Sequence, residues 1–243
     1  MPTQIWAHRG ASAYAPENTM PAFEEAVRMG AHGLELDVHL SRDGELVVIH
    51  DETVDRTSNG TGKIADLSLT ELKKLDFSNG FLAYNNNRIP TLSEVYEFIR
   101  PTKLMLNVEI KCDVVMYWGI WDKLISLEHE AQMQGRILYS SFNHTVLPYI
   151  RALDAGSKIG LLYSGVPKDP IQDAKVLAAN AIHPHYLAVL LQPELIKACK
   201  DAGIAIHTWT VDDPAAISAL IKADVEAVIT NRPDIAISIS KLI

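Results

Sequence analysis

After residue 100 the chain repeats short strand-like runs, "KLMLNVEI", "RILYSS", "KIGLLYS", "AIHPHY", "AIHTWT" and "EAVIT", each separated from the next by a helix-like stretch. Parallel strands need crossovers long enough to hold a helix, so this alternation is the pattern of βα units. The helix-like stretches carry their own punctuation. "QPELIKACKDAG" has Pro193 near its start and Gly203 just past its end, and "DDPAAISALIKA" sets an Asp cap before Pro214. Upstream, "IWAHRG" and "GLELDVHL" flank the helix-like "NTMPAFEEAVRMG", which brings the number of strands to eight. Eight such strands predict an α/β chain closed into a (β/α)8 TIM barrel, and 243 residues suit one domain spanning 1–243.

One segment breaks the rhythm. From about 51 to 90 the chain is rich in Asn, Gly and Thr and holds only a short helix in "SLTELKKLDF", so it is read as an insertion over the barrel rim, after the second-strand hairpin. The 48% hydrophobic and 21% charged fractions are those of a soluble globular chain, with no apolar run that could span a bilayer. The start "MPTQIWAHRG" lacks the pattern of a secretory signal, which points to the cytoplasm. Cys112 and Cys199 form no disulfide framework or metal pair by spacing, and Cys199 falls at helical intervals with Leu195 and Ile196 as a core residue. A net charge of −8 argues against a nucleic-acid surface, so an anionic substrate must be attracted by a local pocket. Oligomeric state is not legible.

The stretch "GLELDVHLSRDGELVVIHD" holds most of the chemistry. Asp43-Gly44 between two alternating apolar runs predicts a two-residue hairpin turn, which pairs Arg42 with Glu45 and Asp37 with His50. Alternation then puts Glu35, Asp37, His39 and His50 on one face, with Leu36, Val38, Leu40, Val47 and Ile49 on the other. Leu46 and Val48 do not fit, because they fall on the polar face. In "LMLNVEIK" the same period turns Asn107, Glu109 and Lys111 to one side.

Glu35, Asp37 and Glu109 aimed into a barrel need a counter-charge. A salt-bridge network can supply it. A divalent cation is the more economical answer, and three oxygen ligands suit Mg2+ or Ca2+ better than zinc. His8 and His50 are candidate proton carriers, while Arg9 and Lys111 are candidates to hold an anion. Cation, cationic clamp and paired proton carriers at the C-terminal rim of a barrel are the parts of phosphoryl transfer.

At this point the sequence resembles the glycerophosphodiester phosphodiesterase family. "HRG", "PENT" at 16–19, "ELD" at 35–37, "DGELVVIHD" at 43–51, "RTSNGTG" at 56–62, "IPTLSE" at 89–94, "EIK" at 109–111 and "WTV" at 209–211 follow that family's motif order over nearly the whole chain. The resemblance implies His8 and His50 as the acid/base pair, Glu35, Asp37 and Glu109 as metal ligands, and Arg9 and Lys111 as phosphate contacts. It implies a glycerophosphodiester as substrate, glycerol 3-phosphate and an alcohol as products, and a route that can pass through a cyclic phosphate. The family often has Asn after "WTV", where this chain has Asp212, which leaves the hydrogen bonding of that loop open.

Other residues are read as support or packing. Trp209 is a candidate pocket wall, and Glu17 and Asn18 are candidates to bond Arg9 or cap the first helix. His39 falls outside the expected metal cluster, Phe77, Phe81 and Tyr84 are assigned to the insertion's own core, and Trp118 and Trp121 to a buried helix face. Two other functions are weighed. A lysophospholipase D-type hydrolase would share the chemistry, and a silent phospho-ligand-binding barrel should have lost a histidine or a metal acid, whereas all seven expected residues stand here.

Overall fold

A computed structural model describes residues 2–243 of the chain. Its strands are β1 (Gln4–His8), β2 (Gly33–Leu40), β3 (Leu46–Val48), β4 (Met105–Ile110), β5 (Ile137–Ser141), β6 (Lys158–Tyr163), β7 (Ala181–Pro184), β8 (Ala205–Thr208) and β9 (Ala227–Thr230). All except β3 run parallel, and because β1 pairs with both β2 and β9 the sheet closes on itself. Helices occupy the crossovers, so the molecule is the expected (β/α)8 barrel. A strand buried on both faces explains why "AVIT" reads as a nearly continuous apolar run, whereas "MLNVEI" alternates because Asn107 and Glu109 line the cavity inside the barrel. Most of the core lies between strands and helices, where Leu34, Leu36 and Val38 meet Phe23 and Tyr96, whereas Trp6, Ala227 and Ile229 form a separate buried cluster. Both cysteines are buried and free, and among the described residues no helix is long and apolar enough to cross a membrane.

The strand β2 is forked. Its first residues pair with β1, through His8↔Glu35, and its last residues pair with the antiparallel β3, through Val38↔Val48. Here the structure corrects the expected hairpin. The register runs His39↔Val47 and Leu40↔Leu46, one residue away from the two-residue turn, and the loop is Arg42, Asp43 and Gly44. Ser41 faces Glu45, whose carbonyl accepts its N–H at 3.0 Å, and Gly44 takes φ 80°, the left-handed position that such three-residue loops require. Asp37 therefore lies opposite Ile49, whose N–H donates to its carbonyl at 3.0 Å, and the expected Asp37–His50 and Arg42–Glu45 pairs do not form. The shift resolves the misfit in the pattern. Leu46 and Val48 join Val38 and Leu40 in the main core, and Val47 and Ile49 turn to the opposite side.

Between β3 and the helix Leu92–Ile99 the chain makes its excursion, with a short helix Leu69–Leu72 opened by a Ser68–Glu71 capping box. This segment has its own apolar cluster, in which Ile64, Leu72, Phe77 and Ile89 pack under Val47 and Ile49. Phe81 and Tyr84 are half-buried and meet each other edge-on at 6.3 Å. Trp121 is buried as expected, but Trp118 is 72% exposed. The helix begins only at Ile120, after Gly119, so Trp118 is not on its buried face.

Candidate active site

The expected site residues come from the end of β1, from inward positions of β2 and β4, or from loops that follow strands. His8 ends β1, and Arg9 and Gly10 turn sharply away with φ 54° and 79°. A left-handed non-glycine residue is costly, and here the turn is held where Gly10 passes so close to Ala22 that a Cβ would lie 2.6 Å from its backbone. This turn aims the Arg9 N–H at Glu35, 2.9 Å from Oε2, and the Arg9 guanidinium at Glu17, 2.9 Å from Oε1.

Glu35 and Asp37 project inward from β2 beside Glu109 of β4, and their oxygens converge within 4.8 Å of one another. All three are buried, and Asp37 Oδ1 has no hydrogen-bond partner. Burial together with the charges of Asp37 and Glu109 pushes the Glu35 carboxyl well above its ordinary value. Burial and the Asp37 charge push Glu109 up to about 7, against the pull of Lys111. Asp37 moves the other way. Burial alone would raise it, but Arg9, His50, Lys111 and the hydrogen bond from Asn18 Nδ2 at 2.8 Å hold it well below the carboxylate range. Three buried carboxyls whose oxygens converge, two of them resisting ionisation and one with an oxygen that no donor reaches, fit an oxygen-ligated divalent cation.

The two histidines are oriented by different partners. His8 Nδ1 lies 2.7 Å from Asn231 Oδ1, and Asn231 Nδ2 donates to Asp212 Oδ2, so the amide is fixed and the His8 proton sits on Nδ1. His8 Nε2 then points toward Glu35, 4.0 Å away. Burial, then the charge of Arg9, pulls the His8 pKa down to about 4. His50 Nδ1 donates to Asp51 Oδ1 at 2.7 Å. His50 stands beyond the end of β3, where strand alternation no longer governs it, and it lines the same cavity as His8 despite the corrected register.

That cavity holds about 170 Å3 and has two kinds of wall. His8, Arg9, Glu35, His50 and Glu109 form the polar side, and Phe142, Leu162, Trp209 and Ile229 the apolar side. Trp209 is fixed by its Nε1–H, which donates to the His183 carbonyl at 2.7 Å, and by the edge of Phe142 at 5.5 Å. A second recess, about 360 Å3, opens from His8 and Arg9 toward Ser12, Glu17 and Arg232. A larger cavity of about 470 Å3 by Trp6, Lys158 and His207 contains none of these groups.

Arg9 and Lys111 are both engaged by acids. Lys111 Nζ is 2.7 Å from Glu109 and 3.9 Å from Asp37, and Arg9 Nε is 3.3 Å from Asp37. Asn18 bonds Asp37 and makes no cap bond to the first helix, Met20–Met29, whose N-cap is Thr19. Asp212 accepts from Thr230 Oγ1, Asn231 N and Asn231 Nδ2, all donors, so a carboxylate suits its place. Sequence reasoning assigned no role to Asn231, for which it offers no signal, or to Arg56, which lies inside the "RTSNGTG" motif. Arg56 bonds Asp51 through Nε at 2.7 Å and Glu17 through Nη1 at 2.7 Å, which joins the partner of His50 to the partner of Arg9.

Over residues 8–235 the chain matches the family described as the glycerophosphoryl diester phosphodiesterase family. It is 44% identical over 240 residues to a glycerophosphodiester phosphodiesterase of Caldanaerobacter subterraneus subsp. tengcongensis, covering 98% of each chain. It is similar to an Oleispira antarctica phosphodiesterase solved in complex with the product sn-glycerol-3-phosphate, with a TM-score of 0.87 and 31% identity over 99% of this chain and 97% of that one. A glycerophosphodiester phosphodiesterase from Agrobacterium tumefaciens gives a TM-score of 0.86 at 30% identity, over 97% of this chain and 99% of that one.

Proposed function

The chain belongs to the glycerophosphodiester phosphodiesterase family, and from that premise we propose that it hydrolyses a glycerophosphodiester to glycerol 3-phosphate and an alcohol. The observation that carries the reading is the convergence of Glu35, Asp37 and Glu109 within 4.8 Å, in a cavity also lined by His8 and His50. The three carboxylates are proposed to hold one divalent cation, Mg2+ or Ca2+, which when bound neutralises the cluster and stabilises charge on phosphoryl oxygens. The related Oleispira protein, solved with sn-glycerol-3-phosphate, supports the substrate class.

The chain's own residues divide the remaining work. Arg9 reaches both recesses and is proposed to contact the phosphate, with Lys111 as a second contact and counter-charge beside Glu109. Glu17 holds the Arg9 guanidinium, Asn18 holds Asp37, and Trp209 walls the apolar side. His8 and His50 each donate through Nδ1, so Nε2 of each is free to exchange a proton with substrate. In the proposed first step one histidine takes the proton of the glycerol 2-hydroxyl as that oxygen bonds to phosphorus. The other gives its proton to the departing alcohol, and a cyclic phosphate forms. In the second step water opens the ring to glycerol 3-phosphate and both histidines recover their starting states. A hydroxyl held next to phosphorus gains an effective concentration of up to about 10⁵–10⁸ M, which favours this route over outside water.

Release of glycerol 3-phosphate from a panel of glycerophosphodiesters, with and without chelator, tests the proposal. A lysophospholipid belongs in the panel because Phe142, Leu162 and Trp209 give the cavity an apolar wall. Turnover that chelator abolishes and Mg2+ or Ca2+ restores is expected. Full activity in excess chelator removes the cation, and no turnover on any member removes the activity. A substrate lacking the 2-hydroxyl should bind but resist cleavage, and normal turnover of it would eliminate the cyclic phosphate.

A further inference from the structure

The β2–β3 ladder ends just before the proposed proton carrier. Its last paired residue is Val48, and Ile49 still donates its N–H to Asp37, but His50 has left the sheet. A residue at such a bend has lost the regular ladder that would otherwise fix its backbone. Here a side chain replaces the ladder. His39 Nε2 lies 3.0 Å from the His50 carbonyl oxygen, and His39 Nδ1 lies 3.0 Å from the Tyr117 hydroxyl.

These contacts have one consistent assignment of protons. A carbonyl oxygen only accepts, so the His39 N–H must be on Nε2. A ring that carries its single proton on Nε2 accepts at Nδ1. Tyr117 therefore donates to His39, and His39 donates to His50. Both side chains are buried, and the Tyr117 ring meets the His39 ring edge-on at 5.6 Å.

We propose that Tyr117 and His39 form a positioning relay that sets the place of His50 relative to the carboxylate cluster, an inference that rests on the reading of His50 as a proton carrier. Asp37 and His39 are two residues apart on β2 and share a face, so one rigid strand carries a carboxylate of the cluster and the brace for the histidine. Tyr117 arrives from the loop that follows Glu109 and Lys111, which ties that loop to the same point. His39 touches no reacting atom in this arrangement. It acts through the backbone of His50.

The test compares His39→Leu, His39→Gln and Tyr117→Phe. Leu removes both bonds, whereas the Gln amide can place an N–H near the position of Nε2 and restore the bond to His50. His39→Leu is expected to lower kcat about 10- to 100-fold, the scale of a lost orienting group, with KM little changed because the phosphate contacts are untouched. His39→Gln should recover most of that loss, and Tyr117→Phe should cost less than His39→Leu. In a His50→Ala background, His39→Leu should cause no further loss, a non-additivity that a general packing role would not produce. Equal losses in both backgrounds, or no gain from Gln over Leu, would overturn the relay. If His39→Leu does not fold, the Gln and Phe variants still decide the matter. Nitrogen NMR of the histidine rings reads the relay without turnover, and so separates its failure from failure of the proposed activity. His39 is expected as the Nε2–H tautomer with a slowly exchanging proton, and the Nδ1–H tautomer would refute the proposal.

Discussion

Arg56 reaches from the inserted segment to two carboxylates at once. Its guanidinium makes paired bonds to Asp51, through Nε at 2.7 Å and Nη2 at 2.9 Å, and to Glu17, through Nη1 at 2.7 Å and Nη2 at 2.9 Å. Asp51 orients His50 and Glu17 holds Arg9, so one side chain sets the direction of a proposed proton carrier and a proposed phosphate contact. Arg56→Ala should separate stability from activity. The side chain is 44% exposed, so solvent screens both ion pairs, and each is worth the exposed value of about 0.2–1 kcal/mol. The combined loss, about 1 kcal/mol, corresponds to a Tm decrease of roughly 2–4 °C for a chain of this size. Activity should fall further. Freeing two orienting carboxylates is expected to lower kcat/KM about 10- to 100-fold, equivalent to about 1.4–2.7 kcal/mol of transition-state stabilisation. Arg56→Lys should recover little, because a single ammonium cannot bond two carboxylates in paired fashion. The assay is glycerol 3-phosphate release at several substrate concentrations, alongside thermal melts. Wild-type kcat/KM in a folded Arg56→Ala protein would refute the reasoning.

Asp212→Asn should lower kcat about tenfold with little change in Tm, since it sets an amide N–H2 against donors and turns Asn231 away from His8 Nδ1; unchanged kinetics would contradict this. Gly10→Ala should destabilise the chain by more than about 2 kcal/mol, seen as a Tm loss of roughly 5–10 °C, because the new Cβ meets Ala22 backbone at a positive φ. Glu128 is buried against the Tyr139 hydroxyl, 2.9 Å away, and burial raises its carboxyl pKa. The unfolded chain therefore ionises first as pH rises, so the stability this residue contributes is complete below the ordinary Glu value and is lost as pH climbs through the raised one. Glu128→Gln stays neutral and should melt above wild type at pH 8 but not in mild acid, whereas a difference independent of pH would exclude burial of the charge as its cause.

What the sequence determines by itself is whatever depends on periodicity. Eight runs of strand length separated by helical stretches bury their apolar faces in a parallel sheet covered by helices, a number that suits closure into a barrel, and alternation within "GLELDV" and "LMLNVEI" turns Glu35, Asp37 and Glu109 to one face. The hairpin was less legible, although its clue was visible. Leu46 and Val48 on a polar face meant that the assumed turn was one residue short, and Asp-Gly is compatible with both loop lengths. The partner of His8 was decided by the tertiary structure alone, whereas that of His50 is its sequence neighbour Asp51. Asn231 reaches His8 across 223 residues of sequence because β1 and β9 become neighbours when the barrel closes. Arg56 meets Glu17 across 39 residues because the insertion folds back over the first strand's loop. Alternation put His39 on the face of Asp37 but could not show its bond to the His50 carbonyl, which forms where the chain has already left β3. A side-chain hydrogen bond depends on distances of a few tenths of an ångström between segments that the sequence leaves unrelated, and only packing brings those segments together.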